Sequence, residues 1–170
     1  AYVLGTVEGT PRTLVWVDRQ GRETPIPAPP RPYLLPALSP DGTRVVVFAN
    51  DQERDLWLWD LRRTTLTRLT SASGVDVVQV WTPDSRRLIF TSERAGVRNL
   101  FRQAADGAGE AEPLTESPNT QYPTSVSPDG RTLIFVDEFP ATTNDVMMME
   151  LDSRVVTPLV QSPFSERNGT

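Results

Sequence analysis

Ser39-Pro40-Asp41-Gly42-Thr43-Arg44-Val45-Val46-Val47-Phe48 is the stretch from which the fold can be read. Proline presets φ at the second position of a tight turn, the Asp side chain bonds nearby backbone N–H groups, and glycine tolerates a positive φ. The residues that follow are β-branched or aromatic, few in number and bounded by polar ones, which predicts a strand. The pattern returns as Thr82-Pro83-Asp84-Ser85 ahead of Leu88-Ile89-Phe90, and as Ser127-Pro128-Asp129-Gly130 ahead of Leu133-Ile134-Phe135. Position 82 lies 43 residues after 39, and 127 lies 45 after 82. Ser85 stands where the other two copies have glycine, which weakens the need for a positive φ at that turn.

Two further features follow in the same order each time. One is Asp55-Leu56-Trp57-Leu58-Trp59, then Asn99-Leu100-Phe101, then Asp145-Val146-Met147-Met148-Met149. The other is Thr67-Arg68-Leu69-Thr70, then Glu112-Pro113-Leu114-Thr115, then Thr157-Pro158-Leu159-Val160, with Leu69, Leu114 and Leu159 spaced by 45 residues. The run from Asp55 to Asp60 is too short for a helical period and predicts a strand buried on both faces. With a strand leading into each Pro-Asp turn, such as Tyr33-Leu34-Leu35, every unit holds four short strands, a to d. Four antiparallel strands in 43 to 45 residues is the pattern of a β-propeller blade.

The two ends complement each other. Tyr2-Val3-Leu4 reads as strand b, Thr13 to Val17 as strand c, and Thr24-Pro25-Ile26-Pro27 as strand d. Trp16 lies 42 residues before Leu58, and Ile26 lies 43 before Leu69, so the register agrees with the later units. Residues 1–27 thus form strands b to d of a split blade. Whole blades are expected over 33–70, 75–115 and 121–160, and residues 162–170 are expected to supply the missing strand a. The fold class is all-β, a propeller of about four blade equivalents. Rings of four are tight, so two chains are expected to pair as a homodimer and close one eight-bladed ring, each 162–170 segment completing its partner's split blade.

Composition narrows the function. The 170 residues contain no His, no Cys and no Lys; all 17 cations are Arg, against 22 acids, for a net charge of −5. The histidine triad, the thiolate nucleophile, zinc-finger ligation and the P-loop or Schiff-base lysine are therefore excluded. The acidic balance argues against nucleic acid as partner. No apolar run approaches the ~20 residues of a spanning helix, so no membrane insertion is expected. The chain opens at Ala1 rather than Met, which suggests a fragment or a processed product.

The repeat resembles the TolB-like (WD-repeat-like) β-propeller repeat of bacteria, through Ser39-Pro40-Asp41-Gly42, Val45 to Phe48, Asp55-Leu56-Trp57-Leu58-Trp59-Asp60 and Leu66-Thr67-Arg68-Leu69-Thr70. The segments from Leu14 to Arg22 and from Ala37 to Gly42 resemble the repeats found C-terminal to some bacterial serine/threonine protein kinases. No Gly-rich loop, strand lysine or His-Arg-Asp loop accompanies them. The resemblance implies a propeller that binds other molecules through its loops or central opening.

Several residue groups are candidates for more than structure. Asp41, Asp84 and Asp129 suit turn capping better than metal ligation, since the dense oxygen ligands of a Ca²⁺ loop are missing. Asp55, Asn99 and Asp145 fit bonds to nearby backbone better than lining of a channel. Asp51, Glu53 and Asp55, or Asp137 and Glu138, would be the carboxylates of a sugar-cleaving pair, but read first as solvated loop charge. Trp57, Trp59 and Met147–Met149 read as core rather than binding surface. The stretch Pro25–Pro36 reads as a connection between blades rather than a polyproline ligand. No catalytic, cofactor-binding or metal-ligating residue is assigned, and no cofactor is expected. The expectation is a non-enzymatic scaffold with a protein or peptide partner, serving as the sensor module of a larger protein. The alternative is an enzyme-associated propeller that gates a peptidase or carries a carboxylate-based sugar site.

Overall fold

Each β-branched run after a Pro-Asp turn becomes the second strand of a sheet, and the other strands assemble on either side of it. The computed structural model describes residues 2–3, 9–139, 143–162 and 164–166. Among the described residues every regular element is a β-strand. β1 (Tyr2–Val3), β2 (Leu14–Val17) and β3 (Glu23–Pro25) form a three-stranded sheet in that order. Three four-stranded sheets follow. The first holds β4 (Tyr33–Leu38), β5 (Arg44–Ala49), β6 (Leu56–Asp60) and β7 (Thr65–Arg68); the second holds β8 (Asp76–Trp81), β9 (Arg87–Ser92), β10 (Asn99–Ala104) and β11 (Glu112–Pro113); the third holds β12 (Thr120–Val126), β13 (Thr132–Phe139), β14 (Thr143–Glu150) and β15 (Val156–Val160). Neighbouring strands are consecutive in the chain and antiparallel, as hairpin connections demand. The all-β, four-stranded antiparallel expectation holds. Leu4 and residues 163 and 167–170, on which parts of two expected strands fall, lie outside the described residues. Of the expected strand over 162–170, Ser162 and residues 164–166 are described and lie in no strand.

Contacts divide the chain into two compact units, Ala1–Val77 and Val78–Thr170, the division falling within β8. In the first unit, Leu14 and Ile26 of the N-terminal sheet cluster with Tyr33, Val45, Val47 and Trp59 of the next. In the second, Ile89, Leu100 and Leu114 cluster with Leu133, Phe135, Met147 and Met149. Each such side chain removed from water contributes about 1.5–3 kcal/mol. The connection through Pro25–Pro36 is held by paired backbone bonds between Arg12 and Arg31, at 2.7 and 3.3 Å. Beside it Tyr33 is fully buried and its hydroxyl donates to the Pro29 carbonyl at 2.5 Å. Burial pushes the Tyr33 phenol up to about 12.

The turns share one geometry. Asp41 Oδ1 accepts from the Ser39 hydroxyl at 2.6 Å and the Thr43 N–H at 3.0 Å, and these bonds hold its carboxyl down at about 2. Asp84 and Asp129 repeat the arrangement with Thr82 and the Arg86 N–H, and with Ser127 and the Arg131 N–H. Position four is left-handed in all three: φ is 69° at Gly42, 59° at Ser85 and 73° at Gly130. The expectation for Ser85 is thus corrected. Its N–H bonds back to the Thr82 carbonyl at 2.9 Å, as Gly42 does to Ser39 at 2.8 Å, and the Thr82 and Ser39 N–H groups bond to the Arg87 and Arg44 carbonyls at 3.0 and 2.8 Å, so the same turn recurs with serine in the left-handed place.

Two more corrections concern strands. β6 is buried on both faces only in part: Leu56 on one face and Trp59 on the other are buried, whereas Leu58 and Trp57 beside them are half-buried. β4 runs on to Leu38 through a bulge after Leu34, where Leu35 takes a φ of 51°. The extra residue re-aims the strand before the Pro-Asp turn.

Candidate functional site

The repeated polar residue at the start of strand c (Asp55 just before β6, Asn99 first in β10, Asp145 third in β14) is buried in every four-stranded sheet, and each finds its partners differently. Asn99, on β10, accepts from the Ser117 N–H and donates its amide to the Ser117 carbonyl at 3.0 Å. Asp55 is fully buried, and its carboxylate accepts from Thr70 Oγ1 at 2.9 Å and from the Arg68 guanidinium, whose Nε lies at 2.8 Å. Burial raises its proton affinity above the ordinary aspartate value, with Thr70 and Arg68 opposing. Asp145 is fully buried as well and accepts from Gln161 Nε2 at 2.9 Å. Backbone bonding thus describes Asn99, while Asp55 accepts from the side chains of Arg68 and Thr70 and Asp145 from that of Gln161. A carboxylate without N–H donors of its own needs them from neighbours, and strand d and the residues beyond it supply Arg68 and Gln161.

The carboxylates weighed as a sugar-cleaving pair are placed otherwise. Asp51 pairs with Arg31 at 2.9 Å and Glu53 with Arg68 at 3.1 Å, so both are bound into an arginine network. Asp137 and Glu138 are successive residues of β13 and point to opposite faces. Asp137 is buried in its strand rather than solvated in a loop, and accepts from Gln121 Nε2 at 2.7 Å. Among the described residues no group of three or more carboxylates is placed to hold a metal ion. Trp59, Met147 and Met149 are core; half-buried Trp57 carries the Arg31 guanidinium 3.8 Å from its ring centroid.

A cavity of about 660 Å³ opens in the second unit where β10 begins. The β9–β10 loop contributes Arg94 and Val97, β10 contributes Asn99 and Phe101, and the chain after β11 contributes Thr115 and Pro118. The wall is stiff. Phe101 stacks on Phe90 with centroids 6.5 Å apart, and the Arg94 guanidinium lies 4.8 Å from the Phe101 centroid and 5.5 Å from that of Phe90. Arg94 Nε donates to Ser92 Oγ at 2.8 Å, which fixes the guanidinium over the rings. Asn99 ties down the Ser117 loop, and Thr115 Oγ1 accepts from the Leu100 N–H at 3.0 Å. Val97 is 39% exposed at the mouth. An apolar wall of Val97, Phe101 and Pro113 beside the polar groups of Arg94, Asn99, Thr115 and Glu116 can seat a side chain. Phe101 is part of a repeated motif in the sequence, but nothing marks Arg94, a lone loop arginine, before the fold stacks it on two rings.

Residues 17–169 match a family profile described as TolB beta propeller domain. The Tol-Pal system protein TolB of Helicobacter pylori is 23% identical over 158 residues, covering 89% of this chain and 37% of that protein. Among solved structures, TolB from Acinetobacter baumannii superposes with a TM-score of 0.76 at 24% identity, over 92% of this chain and 39% of that one. A structure from a study of two prolyl endopeptidases reaches 0.67 at 17% identity, over 91% and 27%. The chain therefore spans about 37% of the length of the curated relative, and the low-identity likenesses establish the fold alone.

Proposed function

The chain belongs to the TolB beta propeller domain family, and from that premise we propose that it is a non-enzymatic scaffold whose Phe101 cavity seats a side chain of a protein or peptide partner. The observation that carries the reading is the preformed, aromatic-walled cavity itself, held by Arg94, Asn99 and Thr115. The name Tol-Pal system protein borne by the relatives supports a protein partner. The lack of His, Cys and Lys supports a binding role over a catalytic one. In this reading the chain is one module of a larger bacterial protein and acts as its sensor. It has four blade equivalents, the fourth divided between residues 1–27 and 162–170, and two chains close one ring.

Peptides selected from a random displayed library against residues 1–170 test the cavity. Binding should weaken at least about tenfold on Val97→Asp, which sets a carboxylate at an apolar mouth, while the melting curve stays unchanged. Selected binders that ignore Val97→Asp would remove the cavity from the account.

A further inference from the structure

Within the second unit, the sheets β8–β11 and β12–β15 enclose a cavity of about 450 Å³ beside their Pro-Asp turns. The part contributed by β8–β11 is led by two arginines. Arg87 opens β9 and pairs with Ala104, and Arg102 of β10 pairs with Ile89, so both guanidiniums leave one face of the sheet as diagonal neighbours. The part contributed by β12–β15 is acidic, with Asp129 from one turn and Asp152 from another. Asp84 completes the lining charges, two cations against three acids. The turns approach closely, since a Cβ on Gly130 would lie 3.9 Å from Pro83 Cδ.

The arginine pair is not a requirement of the repeat. The same two positions hold Arg44 and Leu58 in the first four-stranded sheet, and Thr132 and Met148 in the last. Nor are the donors used up. Arg102 commits Nε and Nη2 to Glu112 Oε2, at 3.2 and 2.8 Å, and retains Nη1. Among the described residues, the side chains of Arg87 and Asp152 make no hydrogen bond or ion pair. Asp84 and Asp129 engage Oδ1 in their own turns and retain Oδ2. A clamp fixes the gap: Arg154, two residues beyond Asp152, donates to the other Glu112 oxygen and to the Pro113 carbonyl at 2.8 Å. Glu112 thereby ties Arg102 of one sheet to the turn that carries Asp152 in the other.

Charge decides the ligand. A simple anion drawn to the arginines meets the acids, and a simple cation drawn to the acids meets the arginines. A molecule with both charges satisfies both: the guanidinium fork matches a carboxylate, and the three donors of an ammonium match separate carboxylate oxygens. The volume lies within the range of small-molecule sites, about 300–1,000 Å³. We propose that this cavity binds a small zwitterion of the amino-acid or short-peptide class, its carboxylate on Arg87 and Arg102 and its ammonium on Asp129 and Asp152. The site is separate from the Phe101 cavity.

Calorimetric titration of residues 1–170 with the free proteinogenic amino acids, singly, and with alanylalanine tests it. At least one of them should bind. Acetylating its nitrogen or amidating its carboxylate should weaken it about tenfold or more, since each removes one charge-assisted set of bonds. Arg87→Gln and Asp152→Asn should each weaken the same ligand about tenfold or more. Neither side chain has a bond to lose, so far-UV dichroism and the melting curve of the ligand-free variants should match the parent. A chain that binds none of these molecules overturns the inference. So does binding that survives acetylation or amidation, or binding indifferent to either substitution. Val97→Asp should leave zwitterion binding intact and Arg87→Gln should leave peptide binding at the Phe101 cavity intact, so the two readings fail separately; zwitterion binding lost on Val97→Asp would move the ligand to the Phe101 cavity and overturn this site.

Discussion

The sheets β4–β7 and β12–β15 follow one plan and treat their last strand in opposite ways. In the first, strand d is Thr-Leu-Thr-Arg, its Arg68 turned back onto buried Asp55, and Leu69 beyond it is buried. In the last, strand d is Val-Thr-Pro-Leu-Val, exposed at every residue, with Gln161 reaching buried Asp145. The four-residue pattern sets where the strand pairs and which side Leu69 or Leu159 takes. What stands next to the sheet decides whether that leucine leaves water. A propeller repeat therefore encodes half of each interface, and the other half belongs to the neighbour.

The contrast can be broken most forcefully at the leucine. Leu114→Ala, inside the cluster of Leu133, Phe135 and Met149, should cost about 2–5 kcal/mol in chemical denaturation. Leu159→Ala, at a position exposed in this chain, should cost less than about 1 kcal/mol. Equal costs would mean that burial at this position does not depend on the neighbouring sheet.

The acid opposite strand d gives the next largest effect. Asp55→Asn keeps the shape but returns the site to the uncharged chemistry that Asn99 has in the next sheet, and should cost about 1–3 kcal/mol. Burial raises the Asp55 carboxyl above its ordinary value, so its contribution to stability is complete below the ordinary aspartate value and is lost as pH rises through the folded one. The cost of Asp55→Asn should accordingly be largest in acid and shrink as pH rises. Denaturant titrations of both chains between about pH 3 and pH 7 read the slope; a cost that grows with pH would reverse the assignment.

Smaller effects sharpen the comparison at the turns. Gly42 has a φ of 69° and open space around a would-be Cβ, so Gly42→Ala should cost about 1 kcal/mol from backbone strain alone. A silent Gly42→Ala would show that the left-handed turn is not required. The smallest change is in acid. Asp41 sits at about 2 when folded, against 3.8 ordinarily, so its contribution is present above the ordinary value and lost as pH falls through about 2. The acid limb of the stability curve should flatten in Asp41→Asn, and an unchanged limb would contradict the capping role.

The repeat made strand order readable from sequence because each strand is set by local chemistry: Pro-Asp turns, β-branched runs and leucines at a fixed period. Ser85 shows where local reasoning stops, since it takes the left-handed φ of the two glycines although its own preference is against it. Trp57 shows the same for burial, its apolar ring left half open beneath Arg31. The cavity was half legible. Phe101 lies in a repeated motif, whereas Arg94 acquires meaning only when the β9–β10 loop folds it over two rings.

Native-state amide hydrogen exchange, resolved along the chain, tests the repeat most directly. Slow exchange is predicted over β5 and β6, β9 and β10, and β13 and β14, broken by rapid exchange at exposed Asp41, Asp84 and Asp129 in the turns, so that protection recurs with the period of the sequence. Leu69 and Leu114, whose N–H groups bond to Leu56 and Leu100 at 2.8 Å, should be protected with their sheets. Protection that ignores this period, or one four-stranded unit exchanging at the rate of an unfolded chain while the others stay slow, would contradict the account.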